Sequence, residues 1–472
     1  MIIGREKEIA ILKSKLASHK SEFIALYGRR RVGKTFLVRN VFEGLFSFQL
    51  TGMAQVTLKD QLTNFNDALQ EQHPQPDRRK AENWMEALKQ VRQIAEKSTH
   101  KKKIIFIDEL PWLGTTHSGF IPALEHFWNS WASARKDVLL IVCGSAASWM
   151  INTLINNKGG LHNRVTQQLK IETFTLKECS ELLKNKKIAF GHYHLIELYM
   201  ALGGIPFYWD AIEKGDSASQ SINKLCFESN GLLRREFNNL FKSLFVKAER
   251  HEAIVAALAK KGKGLTREEI SIESGLANGG GLTRLLDELE ESGFIRRYMP
   301  FGKRAKNGLF QLCDFFSLFH IKWMKEQKTF EKDHWIKIID SPKYRAWSGY
   351  AFEQVCLAHI LQVKKALGIS GIATETSSWK STKVKDGAQI DLVIDRRDNV
   401  INLCEMKFSV NKFIIDKKYD AELRNKLGAF RAETQTKKAV FLTMVTTYGL
   451  QANSYSANVQ NDLTIDILFE EV

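Results

Sequence analysis

Residues 28–35 read Gly28-Arg29-Arg30-Arg31-Val32-Gly33-Lys34-Thr35, two glycines, a lysine and a hydroxyl at the spacing of a phosphate-binding loop. Gly28 and Gly33 let the backbone curl so that successive N–H groups face a β-phosphate, and a helix starting behind the loop adds positive potential. Lys34 has the reach to meet β- and γ-phosphates, and the Thr35 hydroxyl suits Mg²⁺. The chemistry implied is capture of a nucleoside triphosphate. A second set, Asp108 and Glu109, ends the apolar run Ile104-Ile105-Phe106-Ile107. That strand is expected beside the loop strand, with Asp108 as Mg²⁺ ligand and Glu109 as general base for the attacking water. Ser145 follows the run from Val138 to Cys143 and is a candidate sensor of the γ-phosphate, although Gly144-Ser145 is also ordinary turn chemistry. A third set lies far downstream. Glu405 and Lys407 are two apart on a predicted strand and so share a face, and Asp391 opens a neighbouring strand. Two carboxylates and a cation on one sheet surface suit Mg²⁺-assisted phosphodiester hydrolysis.

The elements needed to hold these groups are legible. Phe23 to Leu26 form an apolar strand before the loop, and Phe36, Leu37, Val38 and Val41 a helix after it. Gln389 to Asp395 and Val400 to Lys407 read as a hairpin, preceded by an amphipathic helix around Glu353. At 472 residues the chain has room for several domains. Its 44% apolar and 26% charged content is that of a globular protein. No run approaches membrane-spanning length and the first residues are no secretory signal, so no membrane partner is expected. The six cysteines are scattered without a CxxC pair, which points to a reducing, cytoplasmic setting, and the twelve histidines form no metal motif.

The net charge of +16 is uneven. From Arg345 onward there are 17 Lys/Arg against 15 Asp/Glu, so the excess lies in the front part of the chain and suits a polyanion such as nucleic acid. From Glu249 to Asp314 the pattern is that of a winged helix. A helix through Ile254 and Leu258 is followed by one capped by Thr266 and a third through Leu282, Leu285 and Leu289; a hairpin then carries a basic tip of Lys303, Arg304 and Lys306. The third helix offers Arg284 against Asp287, Glu288, Glu290 and Glu291, which repels a phosphate backbone. Either the wing contacts DNA with weak sequence preference, or the module packs on its neighbours and transmits their state. Phe315 to Tyr344, with Trp323, Phe330 and Trp335, reads as a helical connector packed between this module and the C-terminal domain.

In order along the chain, Gly4-Arg5-Glu6, the loop at 28–35, Asp108-Glu109-Leu110-Pro111, Cys143-Gly144-Ser145-Ala146, Gly160-Leu161-His162-Asn163-Arg164 and Gly203-Gly204-Ile205-Pro206 resemble the archaeal and bacterial ATPases of the AAA+/STAND group. The resemblance implies an α/β P-loop core, ATP and Mg²⁺ as cofactors, a helical lid, a winged helix and often a small nuclease-like tail. It further implies that Gly4-Arg5-Glu6 lies over the adenine side, that Pro206 closes the lid on the base, and that Arg164 is a sensor or finger arginine acting within one subunit or on a neighbour, in a possible homo-oligomer. Asp391, thirteen residues and Glu405-Met406-Lys407 resemble the PD-(D/E)xK nuclease superfamily. Carried over, Asp391 and Glu405 would hold Mg²⁺, Lys407 would orient the nucleophile, and Glu353 would be an accessory ligand. The expected division is an ATPase core at 1–170, a lid at 171–240, a winged helix at 241–315, a connector at 316–344 and a restriction-endonuclease-like domain at 345–472. The expected function is nucleotide-controlled DNA contact coupled to a nuclease. The alternative is a regulatory switch whose tail has lost catalysis and serves as a binding module.

Overall fold

The computed structural model describes residues 2–156, 159–161, 163–245, 247–262, 264–303, 308–327, 333–339, 341–381, 383 and 388–472. Phe23, Ile24, Ala25 and Leu26 of β1 (Glu22–Tyr27) are wholly buried. Such a continuous apolar run belongs in a parallel sheet covered on both faces. With β2 (Phe46–Thr51), β3 (Lys103–Asp108), β4 (Val138–Gly144) and β5 (Gln167–Lys170) it forms a parallel sheet of order β2-β3-β4-β1-β5. This corrects one expectation, because the strand ending at Asp108 is not beside the loop strand. β4 lies between them. Every residue of β4 is buried, and the most continuously apolar strand takes the central position. Leu26 pairs with Cys143 and Ile107 with Val142, so β1, β3 and β4 end along one edge of the sheet. The helices Trp84–Lys97 and Phe120–Ser130 cover one face, where Trp84 meets Phe120 edge-on at 4.7 Å and Trp128 meets Phe23 at 5.0 Å.

The chain divides into two units, Met1–Glu172 and Thr173–Val472. The second begins with the helix Leu176–Asn185, whose N-cap is Thr175 in a reciprocal capping box with Glu178. The helix His192–Leu202 ends at Gly203, which has φ +62°. At Gly204 a Cβ would lie 1.9 Å from the Phe174 carbonyl oxygen, so only glycine permits the approach that pairs Phe174 N–H with the Gly204 carbonyl at 2.7 Å. Pro206 then sits in the first turn of Pro206–Asp210, as the Gly-Gly-x-Pro pattern predicts.

The segment read as a connector is more than a spacer. Phe315–Phe319, His320–Met324 and His334–Ile338 are its helical pieces. Trp335 is buried, stacks on Phe227 at 5.7 Å, and meets Trp323 and Trp347 edge-on at 5.3 and 5.8 Å. Its backbone N–H donates to Asn223 Oδ1 at 3.0 Å, which seats the segment on the helix Ala218–Cys226. The segment thus belongs to the core of the helical region as well as meeting Trp347. The aromatic density of this stretch was the signal for burial, but its partner was not local in sequence. Phe330 lies outside the described residues.

Three helices, Ala248–Lys260, Arg267–Ser274 and Gly280–Glu291, precede an antiparallel hairpin of β6 (Ile295–Tyr298) and β7 (Leu309–Leu312). Thr266 caps the second helix in a box with Glu269, and Gly275 ends it at φ +71°. Lys303 is exposed beyond β6, while Arg304 and Lys306 lie outside the described residues. The C-terminal part holds a mixed sheet of order β12-β11-β10-β9-β8, comprising β8 (Thr374–Lys380), β9 (Gln389–Arg396), β10 (Val400–Lys407), β11 (Ala439–Thr446) and β12 (Asn461–Thr464). β8, β9 and β10 run antiparallel, and β10, β11 and β12 run parallel. The long helices Pro342–Ala358 and Lys417–Thr434 accompany this sheet.

Candidate active sites

At the C-terminal edge of the first sheet, Gly28 takes φ +146°, and a Cβ there would stand 2.3 Å from the Ile171 carbonyl oxygen. Gly33 follows at φ +89° and caps the helix Lys34–Val41. The loop is therefore shaped by backbone that only glycine tolerates at its first position. Arg5 is buried and donates to the Val32 carbonyl at 3.1 Å and the Glu172 carbonyl at 2.6 Å, which braces the loop from behind. Arg29 is buried, Arg30 exposed and Arg31 half-buried at φ +68°. The Lys34 ammonium donates to the Gly28 and Arg29 carbonyls at 2.9 and 2.8 Å. Burial lowers its pKa from the ordinary value, and the negative charges of Glu109 and Asp108 pull the other way.

Thr35 Oγ1 donates to Asp108 Oδ2 at 2.7 Å, so the hydroxyl and carboxylate expected to share a Mg²⁺ are already neighbours across the sheet edge. Two hard oxygen donors at the mouth of a phosphate loop fit that ion. Glu109 adopts the left-handed conformation at φ 49°, with its N–H on Asp108 Oδ1 at 3.0 Å. Ser145 Oγ donates to Glu109 Oε1 at 2.8 Å. The interposed β4 makes this contact possible, since it delivers Ser145 between the loop and the acidic pair. Arg164 lies elsewhere. It is exposed and precedes β5, whose first residue pairs with Ile24, so it stands toward the N-terminal edge of the strands and the loop stands beyond their C-terminal edge. Pro206 belongs to the second unit.

The second constellation is in the C-terminal sheet. β9 and β10 pair as far as Leu392 with Cys404, and Asp391 follows at an irregularity of β9, close enough that both its charge and that of Glu405 act on Tyr419. Glu405 is buried at 4% exposure and already has two partners: Lys426 Nζ at 2.6 Å and the Tyr419 hydroxyl at 3.2 Å. Burial, and then Glu405, raise the Tyr419 pKa well above its ordinary value, so the hydroxyl stays protonated and donates. Lys407 places its ammonium 4.9 Å from the centre of the Tyr419 ring. Asp391 accepts from Gln389 Nε2 at 2.6 Å. Glu353 is half-buried on the helix Pro342–Ala358. No group of three or more His, Cys, Asp or Glu side chains suited to a metal ion occurs among the described residues. The sequence reading missed Tyr419 and Lys426. They are seven apart on one helix, hence on one face, and that spacing beside the strand pair was the available signal.

The sheet order, the glycine-shaped loop and the Thr35–Asp108–Glu109–Ser145 chain together define a P-loop ATPase fold. Residues 2–210, a little under half of the chain, match the family described as an ATPase domain predominantly from Archaea. An uncharacterised protein of Methanocaldococcus jannaschii is 26% identical over 401 residues, 83% of this chain and 84% of that protein. An uncharacterised ATP-binding protein of the same organism is 44% identical over 43 residues, 9% of this chain and 73% of the other. The Walker-type ATPase of Pyrococcus abyssi shares the fold, with a TM-score of 0.52 at 16% identity over 68% of this chain and 96% of that one. Among the described residues no helix is long and apolar enough to cross a membrane.

Proposed function

We propose that this ATPase uses its nucleotide state to control DNA contact and phosphodiester hydrolysis by the second unit. ATP would lie on the Gly28–Thr35 loop, with the Lys34 ammonium exchanging its two loop carbonyls for β- and γ-phosphate oxygens. Thr35 and Asp108 would hold Mg²⁺, which neutralises phosphate charge when bound. Glu109 takes a proton from the attacking water, whose oxygen joins the γ-phosphorus as the bond to the β-phosphate oxygen breaks, giving ADP and phosphate. Ser145 orients Glu109 through their hydrogen bond. Arg164, remote from its own loop, would act on the nucleotide of a neighbouring copy in a homo-oligomer. Pro206 would carry the lid toward the base.

In the second unit, the three helices and hairpin at 248–312 form the proposed winged helix, and Asp391, Glu405 and Lys407 the proposed hydrolytic set, with Glu353 as accessory acid. Asp391 and Glu405 supply oxygen donors suited to Mg²⁺. Water adds to phosphorus, one P–O bond to sugar breaks, and the leaving oxygen takes up a proton. The observation that carries this reading is that Asp391, Glu405 and Lys407 gather around Tyr419, where Glu405 accepts from its hydroxyl, Lys407 lies over its ring and the charge of Asp391 is felt. The second reading, a switch with a non-catalytic tail, draws on Glu405 being already paired with Lys426 and Tyr419. Plasmid incubated with Mg²⁺ and the wild-type protein separates them. The nuclease reading expects strand cuts that Asp391→Ala abolishes with ATP turnover intact; uncut plasmid at every nucleotide condition selects the switch.

A further inference from the structure

A cleft of about 2230 Å³ opens in the second unit among the hairpin β6–β7, the helix Pro342–Ala358 and strands β8 and β9. Small-molecule sites span roughly 300–1,000 Å³, so its size suits a polymer segment. Ten Lys/Arg against six Asp/Glu line it, so the ligand it favours is a polyanion. Lys303, Lys322, Lys343 and Arg345 are exposed along its walls. Gln389 Oε1 and Ser377 Oγ, buried atoms of two lining residues, have no hydrogen-bond partner among the described residues, as polar atoms that a bound ligand would satisfy.

Asp391 and Lys426 line this cleft. Glu405 lies buried against the Lys426 ammonium, and Lys407 rests on the Tyr419 ring. Lys426, ion-paired with Glu405 and carried on the helix Lys417–Thr434, is thus a lining cation linked directly to the acidic group and absent from the sequence motif. We propose that the cleft takes the sugar–phosphate backbone of duplex DNA, and that Lys426 contacts the phosphate presented to Asp391 while Lys407 is a positioning residue braced on Tyr419. This rests on the reading that the second unit handles DNA.

The test is fluorescence anisotropy of a labelled duplex against salt concentration, without divalent metal, on the full chain. Each phosphate contact contributes about 0.9 to the slope of log affinity against log salt. Lys426→Ala is expected to lower that slope by about 0.9, Lys426→Arg to restore it, and Lys407→Ala to change it by less than half as much. Lys426→Gln keeps a hydrogen bond for Glu405 and is the variant read should Lys426→Ala fail to fold. Lys303→Ala and Lys343→Ala on the walls should each lower the slope as well. An unchanged slope in Lys426→Gln, or an equal loss in Lys407→Ala, overturns the lysine assignment alone. A wild-type chain that binds no duplex at low salt overturns both this inference and the DNA reading beneath it.

Discussion

Lys34 and Glu109 divide the work of the nucleotide site, and their surroundings say how. Lys34 is nearly sealed from water and satisfied by two loop carbonyls. Removing it deletes the positive charge for the phosphates and leaves those carbonyls facing them. Lys34→Ala is expected to lose ATP binding in a fluorescent-nucleotide titration, whereas Glu109→Gln should bind ATP normally and turn over about a thousandfold more slowly. A second residue-scale consequence concerns pH. His359 Nε2 accepts from the Leu176 N–H at 3.0 Å, and Nδ1 donates to the Val355 carbonyl at 2.9 Å, which fixes the neutral ring. Burial lowers its pKa to about 4 from 6.5. The unfolded chain therefore binds the extra proton first as pH falls. Stability is complete above about pH 6.5 and declines toward pH 4, by about 3 kcal/mol for this group. Urea titrations at pH 7 and pH 5 should show that decline for wild type and a smaller one for His359→Gln.

Among the elements, β4 decides the first site, and the helical pieces Phe315–Phe319, His320–Met324 and His334–Ile338 decide the helical core of the second unit. The phosphate loop and the Asp108-Glu109 pair were legible because their chemistry is written in short, fixed spacings. Strand order was not, since a continuous apolar run such as Val138 to Cys143 says that a strand is central without saying between which neighbours. The same limit applies to Lys426 and Tyr419. Their helix went unread, and its docking over Glu405 is a tertiary event. The cap at Thr266 was readable because it depends on residues within one turn. Trp335 tests the packing assigned to the connector. Trp335→Ala should cost about 3–5 kcal/mol in chemical denaturation of the whole chain, the range for a buried aromatic. A loss below 1 kcal/mol would mean that the Phe227–Trp323–Trp347 cluster does not depend on it.

The molecule as a whole joins an ATPase domain to a second unit whose basic cleft is lined by Asp391 and Lys426. An ATP-driven device requires that nucleotide state alter affinity for the second ligand, typically by 5–150-fold. The most direct measurement is duplex DNA affinity of Glu109→Gln, which should hold ATP without consuming it, determined with ATP–Mg²⁺ and again with ADP–Mg²⁺ at one salt concentration. The account predicts affinities that differ at least fivefold between the two nucleotides, with the difference absent in Lys34→Ala. Equal affinities in both nucleotides, with ATP demonstrably bound, would contradict the claim that the ATPase controls DNA contact.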